Sequence, residues 1–88
     1  MSSPLNEVLL SSEARKALHA LPDGPHRRRL LLALTTLKKE ARPEASRALL
    51  GDGPEAREWL VSGFQIVYQI DPDTPSVSIG IIRRTATP

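Results

Sequence analysis

Three cations, Arg28, Lys39 and Arg42, fall with Thr35 within about 60° of one another if their segment is helical at 100° per residue. Such a stripe suits an anionic partner, nucleic acid above all, and it equally suits a solvated basic surface. The chain's charge is divided along its length: residues 1–42 carry eight Lys/Arg against four Asp/Glu, and residues 43–88 carry four against six. The four cations of the second half are Arg47, Arg57, Arg83 and Arg84. His19 and His26 lie seven apart with no acidic neighbour at ligand spacing, so they are expected in solvent and no metal site is expected. With no cysteine in the chain, neither a disulfide nor a thiolate site is available, which suits a reducing cytoplasm.

Eighty-eight residues bound the chain to one small domain, 1–88. A chain of this size buries roughly 60–65% of its unfolded surface, enough for a modest core. No apolar run approaches ~18 residues, and no basic segment followed by an apolar one opens the chain. Neither a membrane span nor secretion is expected.

The elements that must position these side chains follow from periodicity. Glu7 to Leu10 reads as an opening strand. Ser11 and Ser12 are good N-cap residues, and Glu13 favours the start of a helix whose apolar face is Ala14, Ala17, Leu18 and Leu21. Pro22-Asp23-Gly24-Pro25 turns the chain into a second helix, from Pro25 or His26 to Ala41, with Leu30, Ala33, Leu34, Leu37 and Ala41 as its stripe. Arg42-Pro43 ends it. Residues 43–56 form a connector in which Ser46–Leu50 is a turn of helix or an extended segment. Arg57–Ser62, Phe64–Ile70 and Ser76–Ile82 are three strands with short links, expected as an antiparallel meander. The fold class is α+β, β-α-α-β-β-β, a helical hairpin packed on an antiparallel sheet. Alternation turns Trp59, Val61, Phe64, Ile66, Tyr68, Val77, Ile79 and Ile81 toward the helices. It turns Glu58, Leu60, Gln65, Val67, Gln69, Ser78, Gly80, Ile82 and Arg84 away from them.

Three segments carry a resemblance. Ser62-Gly63-Phe64-Gln65-Ile66-Val67-Tyr68-Gln69-Ile70 resembles the Gly-aromatic-Arg-hydrophobic-hydrophobic-Tyr strand of the RelE/ParE superfamily of bacterial toxins. Arg47-Ala48-Leu49-Leu50-Gly51 resembles that family's basic-x-Leu-x-Gly connector. Ile79-Gly80-Ile81-Ile82-Arg83-Arg84 is similar to its closing strand, which ends in a basic residue. The likeness spans nearly the whole chain.

The resemblance implies the toxin of a type II toxin–antitoxin module, with a cognate antitoxin as partner. The antitoxin would lie along an apolar groove or exposed sheet edge, with Leu32 and the strand edges as candidates. The RelE branch implies metal-free, cofactor-free cleavage of mRNA on the ribosome, which transfers the phosphoryl group from the 5′ oxygen to the ribose 2′-hydroxyl and inhibits translation. Under that reading Arg84, Arg57 and Arg83 are the catalytic candidates, and Arg28, Lys39, Arg42 and Arg47 contact RNA or ribosome. The sequence departs from the family where Gln65 replaces the usual arginine, and where Thr85-Ala86-Thr87-Pro88 holds no tyrosine or histidine. The ParE branch implies instead a non-enzymatic inhibitor of DNA gyrase. A third reading is a silent, antitoxin-binding module.

Overall fold

Ser11 opens the helical layer as expected: its backbone is extended, and its Oγ accepts from the Ala14 amide at 3.0 Å. The computed structural model describes residues 5–51, 53–71 and 73–85. Of the positions discussed above, Asp52, Pro72 and Ala86 to Pro88 lie outside them. The elements run β1 (Glu7–Leu10), α1 (Ser12–Ala20), α2 (Pro25–Lys39), β2 (Arg47–Leu49), β3 (Glu55–Val61), β4 (Phe64–Asp71) and β5 (Ser76–Arg84). One sheet has the order β1-β5-β4-β3-β2. β1 runs parallel to β5, and each other neighbouring pair is antiparallel. The α+β class and the β3-β4-β5 meander are as expected. Arg47–Leu49 is a fifth strand rather than a helical turn, because its backbone pairs with Ala56 to Glu58 along the sheet edge.

Side chains close the helix ends. Arg27 Nη1 donates to the Leu18 and Leu21 carbonyls at 2.8 and 3.3 Å, which satisfies the last turn of α1. Pro25 begins α2, where its missing N–H leaves no bond unmade. At the far end of α2, Asn6 donates its backbone N–H to Lys38 O and Nδ2 to Leu37 O. The residue before β1 therefore ties the opening strand to the second helix.

The core lies between the helices and one sheet face. Leu18, Leu30, Ala33 and Leu37 meet Phe64, Ile66, Tyr68, Ile70, Val77, Ile79 and Ile82. Tyr68 is buried to its hydroxyl, which donates to Ala41 O at 2.8 Å. That bond fixes the point where the chain leaves α2.

Two local features of the sheet decide what its other face presents. Val61 pairs with Phe64 across a two-residue turn, Ser62-Gly63, in which both residues have positive φ, 53° and 81°. Matching the twist of the flanking strands requires this geometry, and serine adopts it at a cost of roughly 1–2 kcal/mol. In β5, Ile81 faces Val67 while Ile79 faces Tyr68, so Gly80 is an extra residue, a β-bulge. The bulge reverses the alternation beyond it. Ile82 is buried and Ile81 is exposed, the opposite of the expected assignment.

Candidate functional site on the open face of the sheet

The strand that ends in Arg83-Arg84 leaves the bulge with its faces exchanged. Arg83 pairs with Gln65 on the open face, and Arg84 pairs with Phe64 on the covered one. This corrects the placement of Arg84 on the open face. Its guanidinium Cζ stands 5.2 Å from the Phe64 ring centroid.

Across the open face, four polar side chains from four strands form a line. Arg47 on β2 stands opposite Glu58 on β3 and donates its Nε to Oε1 of that carboxylate. Gln65 on β4 is the diagonal neighbour of Glu58 and donates Nε2 to Oε2 at 2.6 Å. Arg83 on β5 donates Nε to Gln65 Oε1 at 2.7 Å. The amide of Gln65 thus relays between an acidic and a basic group, and its orientation follows from having one donor and one acceptor to satisfy. Glu58 is 5% exposed, whereas the Arg47 side chain is 77% exposed. The carboxyl of Glu58 is held below the usual glutamate range, first by the Gln65 amide and then by Arg47, against the opposing effect of desolvation. At neutral pH the line holds an ionised carboxylate with a guanidinium at each end.

Next to this line is a shallow depression of about 450 Å³ bordered by Leu9, Ala56, Val67, Gln69, Gly80 and Ile81. It gives the face an apolar floor beside a charged rim. Leu60 and Ile81 are exposed on the same side.

The remaining sequence candidates go elsewhere. Arg57 faces the covered side, opposite Tyr68, because β3 runs through without a bulge. Its Nε and Nη2 donate to Ser46 Oγ at 3.0 Å and Ser46 O at 3.2 Å, and its Nη1 lies 3.4 Å from Glu55. Arg42 grips the same Glu55 with two donors, at 2.8 and 2.6 Å. Arg42 lowers the Glu55 carboxyl below its ordinary range and is itself raised. Arg28 and Lys39 are exposed on α2, so the stripe survives with Arg42 turned to an ion pair beyond the helix end. Arg47 does sit at the site. His26 is not simply in solvent, because its Nδ1 is 2.7 Å from Ser62 Oγ.

Sequence reasoning placed Glu58 and Gln65 on this face but gave Glu58 no role, and of the two candidates Arg83 and Arg84 it put Arg84 on the open face. One signal was available: a glycine inside a strand pattern, Gly80, marks a candidate bulge.

The sequence matches no protein-family model and no curated relative. Solved structures do match. A chain of the archaeal RelE–RelB complex of Pyrococcus horikoshii superposes with a TM-score of 0.80 at 20% identity, over 96% of this chain and 99% of that one. The fold is that of RelE. A chain of the toxin–antitoxin complex RelBE2 of Mycobacterium tuberculosis has the RelE-like fold too, with a TM-score of 0.64 at 20% identity over 93% and 99% of the two chains. At this identity the likeness is one of fold. Within the RelE fold of this chain, the open face is the one the helices leave uncovered, and no described helix is long and apolar enough to cross a membrane.

Proposed function

We propose that this protein is the toxin of a toxin–antitoxin pair and that it cleaves mRNA on the ribosome, in the cytoplasm, with the open face of its sheet. One observation carries the reading: an ionised carboxylate, Glu58, lies on the open face of a RelE fold in a line that ends in Arg47 and Arg83. An antitoxin partner is supported by the fold neighbours, both of which are complexes of that kind.

The chemistry assigns each group a part. The 2′-oxygen attacks the adjacent phosphorus while its proton passes to Glu58, and the bond to the 5′-oxygen breaks. The products are a 2′,3′-cyclic phosphate and a 5′-hydroxyl, whose oxygen takes its proton from water. Charge on the pentacoordinate phosphorus grows as the bonds exchange, and guanidinium donors aimed there act without reorganising. Arg47 and Arg83 each use Nε inside the line, which leaves their terminal nitrogens available to a substrate. Gln65 holds the carboxylate in place. A carboxylate held below its ordinary range is a weak base, so the reading implies a slow enzyme whose acid limb lies below the usual glutamate range.

Induced expression with mapping of ribosome-bound mRNA ends tests this. Cleavage near codons that vanishes in Glu58→Gln and Arg83→Met, but persists in Arg57→Met, is the expected pattern. Intact mRNA at high protein excess, with or without a fall in gyrase supercoiling, rejects it.

A further inference from the structure

A second cluster of chemistry-bearing groups lies at the β3–β4 hairpin tip, on the covered side of the sheet. His26 and Arg29 reach it from the first turns of α2: His26 Nδ1 is 2.7 Å from Ser62 Oγ, and Arg29 Nη1 donates to the same oxygen at 3.4 Å. Phe64 forms the floor between an imidazole and a guanidinium. The His26 ring meets its edge at 6.1 Å between centroids, and the Arg84 guanidinium lies 5.2 Å from its centroid on the paired strand end. The ion pairs among the described residues engage Arg27, Arg42, Arg47 and Arg57, and they leave Arg29 and Arg84 without a carboxylate within 4.0 Å. Ser62 occupies the left-handed region, with φ 53°, where glycine or asparagine would rest more easily. The serine is therefore not explained by the turn. Its hydroxyl meets His26 and Arg29.

We propose that His26, Arg29, Ser62 and Arg84 bind a phosphate group of a nucleic-acid backbone. When the Nδ1–H of His26 and Arg29 both donate to Ser62 Oγ, the hydroxyl hydrogen is directed outward, beside two guanidinium groups with open donors. A hydroxyl donor with planar cationic forks is a phosphate-binding set. A polyanion fits better than a lone phosphate, because Arg83 and Arg84 place one cation on each face of the same sheet end. A strand crossing that end meets the open-face line and then this cluster. The inference rests on the RNA-cleavage reading only for the kind of nucleic acid.

Fluorescence anisotropy with a labelled, uncleavable 2′-O-methyl RNA oligonucleotide, titrated over salt, tests the site without ribosomes or catalysis. Arg29→Met is expected to reduce the slope of log K against log salt by about 0.7, the value for one phosphate contact on a single strand. Ser62→Gly is expected to weaken binding about two- to tenfold, the range for one hydrogen bond, while its melting temperature holds or rises as the backbone strain is relieved. An unchanged slope in Arg29→Met, unchanged affinity in Ser62→Gly, or no binding by the parent protein overturns the proposal. So does equal affinity for an oligoglutamate of the same charge. Loss of cleavage in Glu58→Gln with an unchanged Arg29→Met slope sinks this site and leaves the cleavage reading standing. The reduced slope in a protein that cleaves nothing does the reverse.

Discussion

On the covered face of the sheet, Arg57 directs three donors into Ser46 and Glu55, and its side chain is 16% exposed. One strand away on the open face, Arg47 touches Glu58 and leaves 77% of its side chain accessible. The two arginines have the same chemistry and opposite uses. Arg57 fixes the connector to the sheet, with a bond from each of its three nitrogens turned inward. Arg47 keeps donors for something outside the fold. Strand parity separates them, and parity in β5 depends on the single extra residue at Gly80. The comparison teaches that a charge in a small sheet is read by its face before its identity.

The sharpest way to break this contrast is to change the same kind of group on both sides. Arg83→Met or Glu58→Gln on the open face is expected to lower mRNA cleavage by about 10²–10³-fold, the range for loss of one electrostatic contact or proton acceptor. Arg83→Met keeps a melting temperature near the parent's, and Glu58→Gln lowers it only by what the carboxylate's bonds to Arg47 and Gln65 contribute. Arg57→Met is expected to behave in the opposite way, with a lower melting temperature and cleavage retained at temperatures where it is folded. Cleavage assayed beside thermal unfolding decides the matter, and equal behaviour of Arg57 and Arg83 would erase the distinction between faces.

Apolar residues sharpen the same comparison at the level of stability. Leu37 of α2 is fully buried against the sheet, and Leu60 is 60% exposed on the open face. Leu37→Ala should cost about 2–5 kcal/mol from lost transfer and a residual cavity. Leu60→Ala should fall within about 0.5 kcal/mol of the parent. Chemical denaturation of both variants, with equal slopes against denaturant, provides the check. A Leu60→Ala cost as large as that of Leu37→Ala would mean that the open face is part of the core.

How much of this was legible in the sequence follows the same division. Ser11 and Glu13 announced α1, and the apolar stripe of α2 named Leu30, Ala33 and Leu37 correctly, because helix signals are local and repeat several times. The alternation from Phe64 to Ile70 placed β4 for the same reason. The sequence leaves β2 open between a turn of helix and an extended segment, since three exposed residues carry no alternation and are held by backbone pairing with β3. The site was half visible. Glu58 and Gln65 precede the bulge and fell on the correct face. Arg83 and Arg84 follow it and were exchanged, because a one-residue bulge changes a long-range register and leaves only a glycine in the sequence.

Tyr68→Phe probes the covered face with a smaller change. Removal of the hydroxyl leaves Ala41 O buried without its donor, at an expected cost of about 1–3 kcal/mol. Equilibrium denaturation measures it, and mRNA cleavage should not change. A loss of cleavage at unchanged stability would show that the tyrosine acts at the site despite facing the helices.

The smallest effect concerns the line itself. Glu58 is held below its ordinary range, with Gln65 as the largest cause and Arg47 the next. Its folded value is lower than its unfolded one, so its contribution to stability is present above the ordinary glutamate range. That contribution is lost as pH falls through the folded value. Gln65→Leu removes the larger cause and keeps Arg47, so the titration of Glu58, followed by carbon NMR of its carboxyl, should move upward toward the ordinary value without reaching it. The stability lost on acidification should be smaller in this variant, because the gap between the folded and unfolded values of Glu58 is narrower. Arg57→Met should leave the Glu58 titration where it is, since that arginine faces the other side. If Gln65→Leu leaves the titration unmoved, the amide is not a relay between Glu58 and Arg83, and the open face holds two separate charged groups instead of one line.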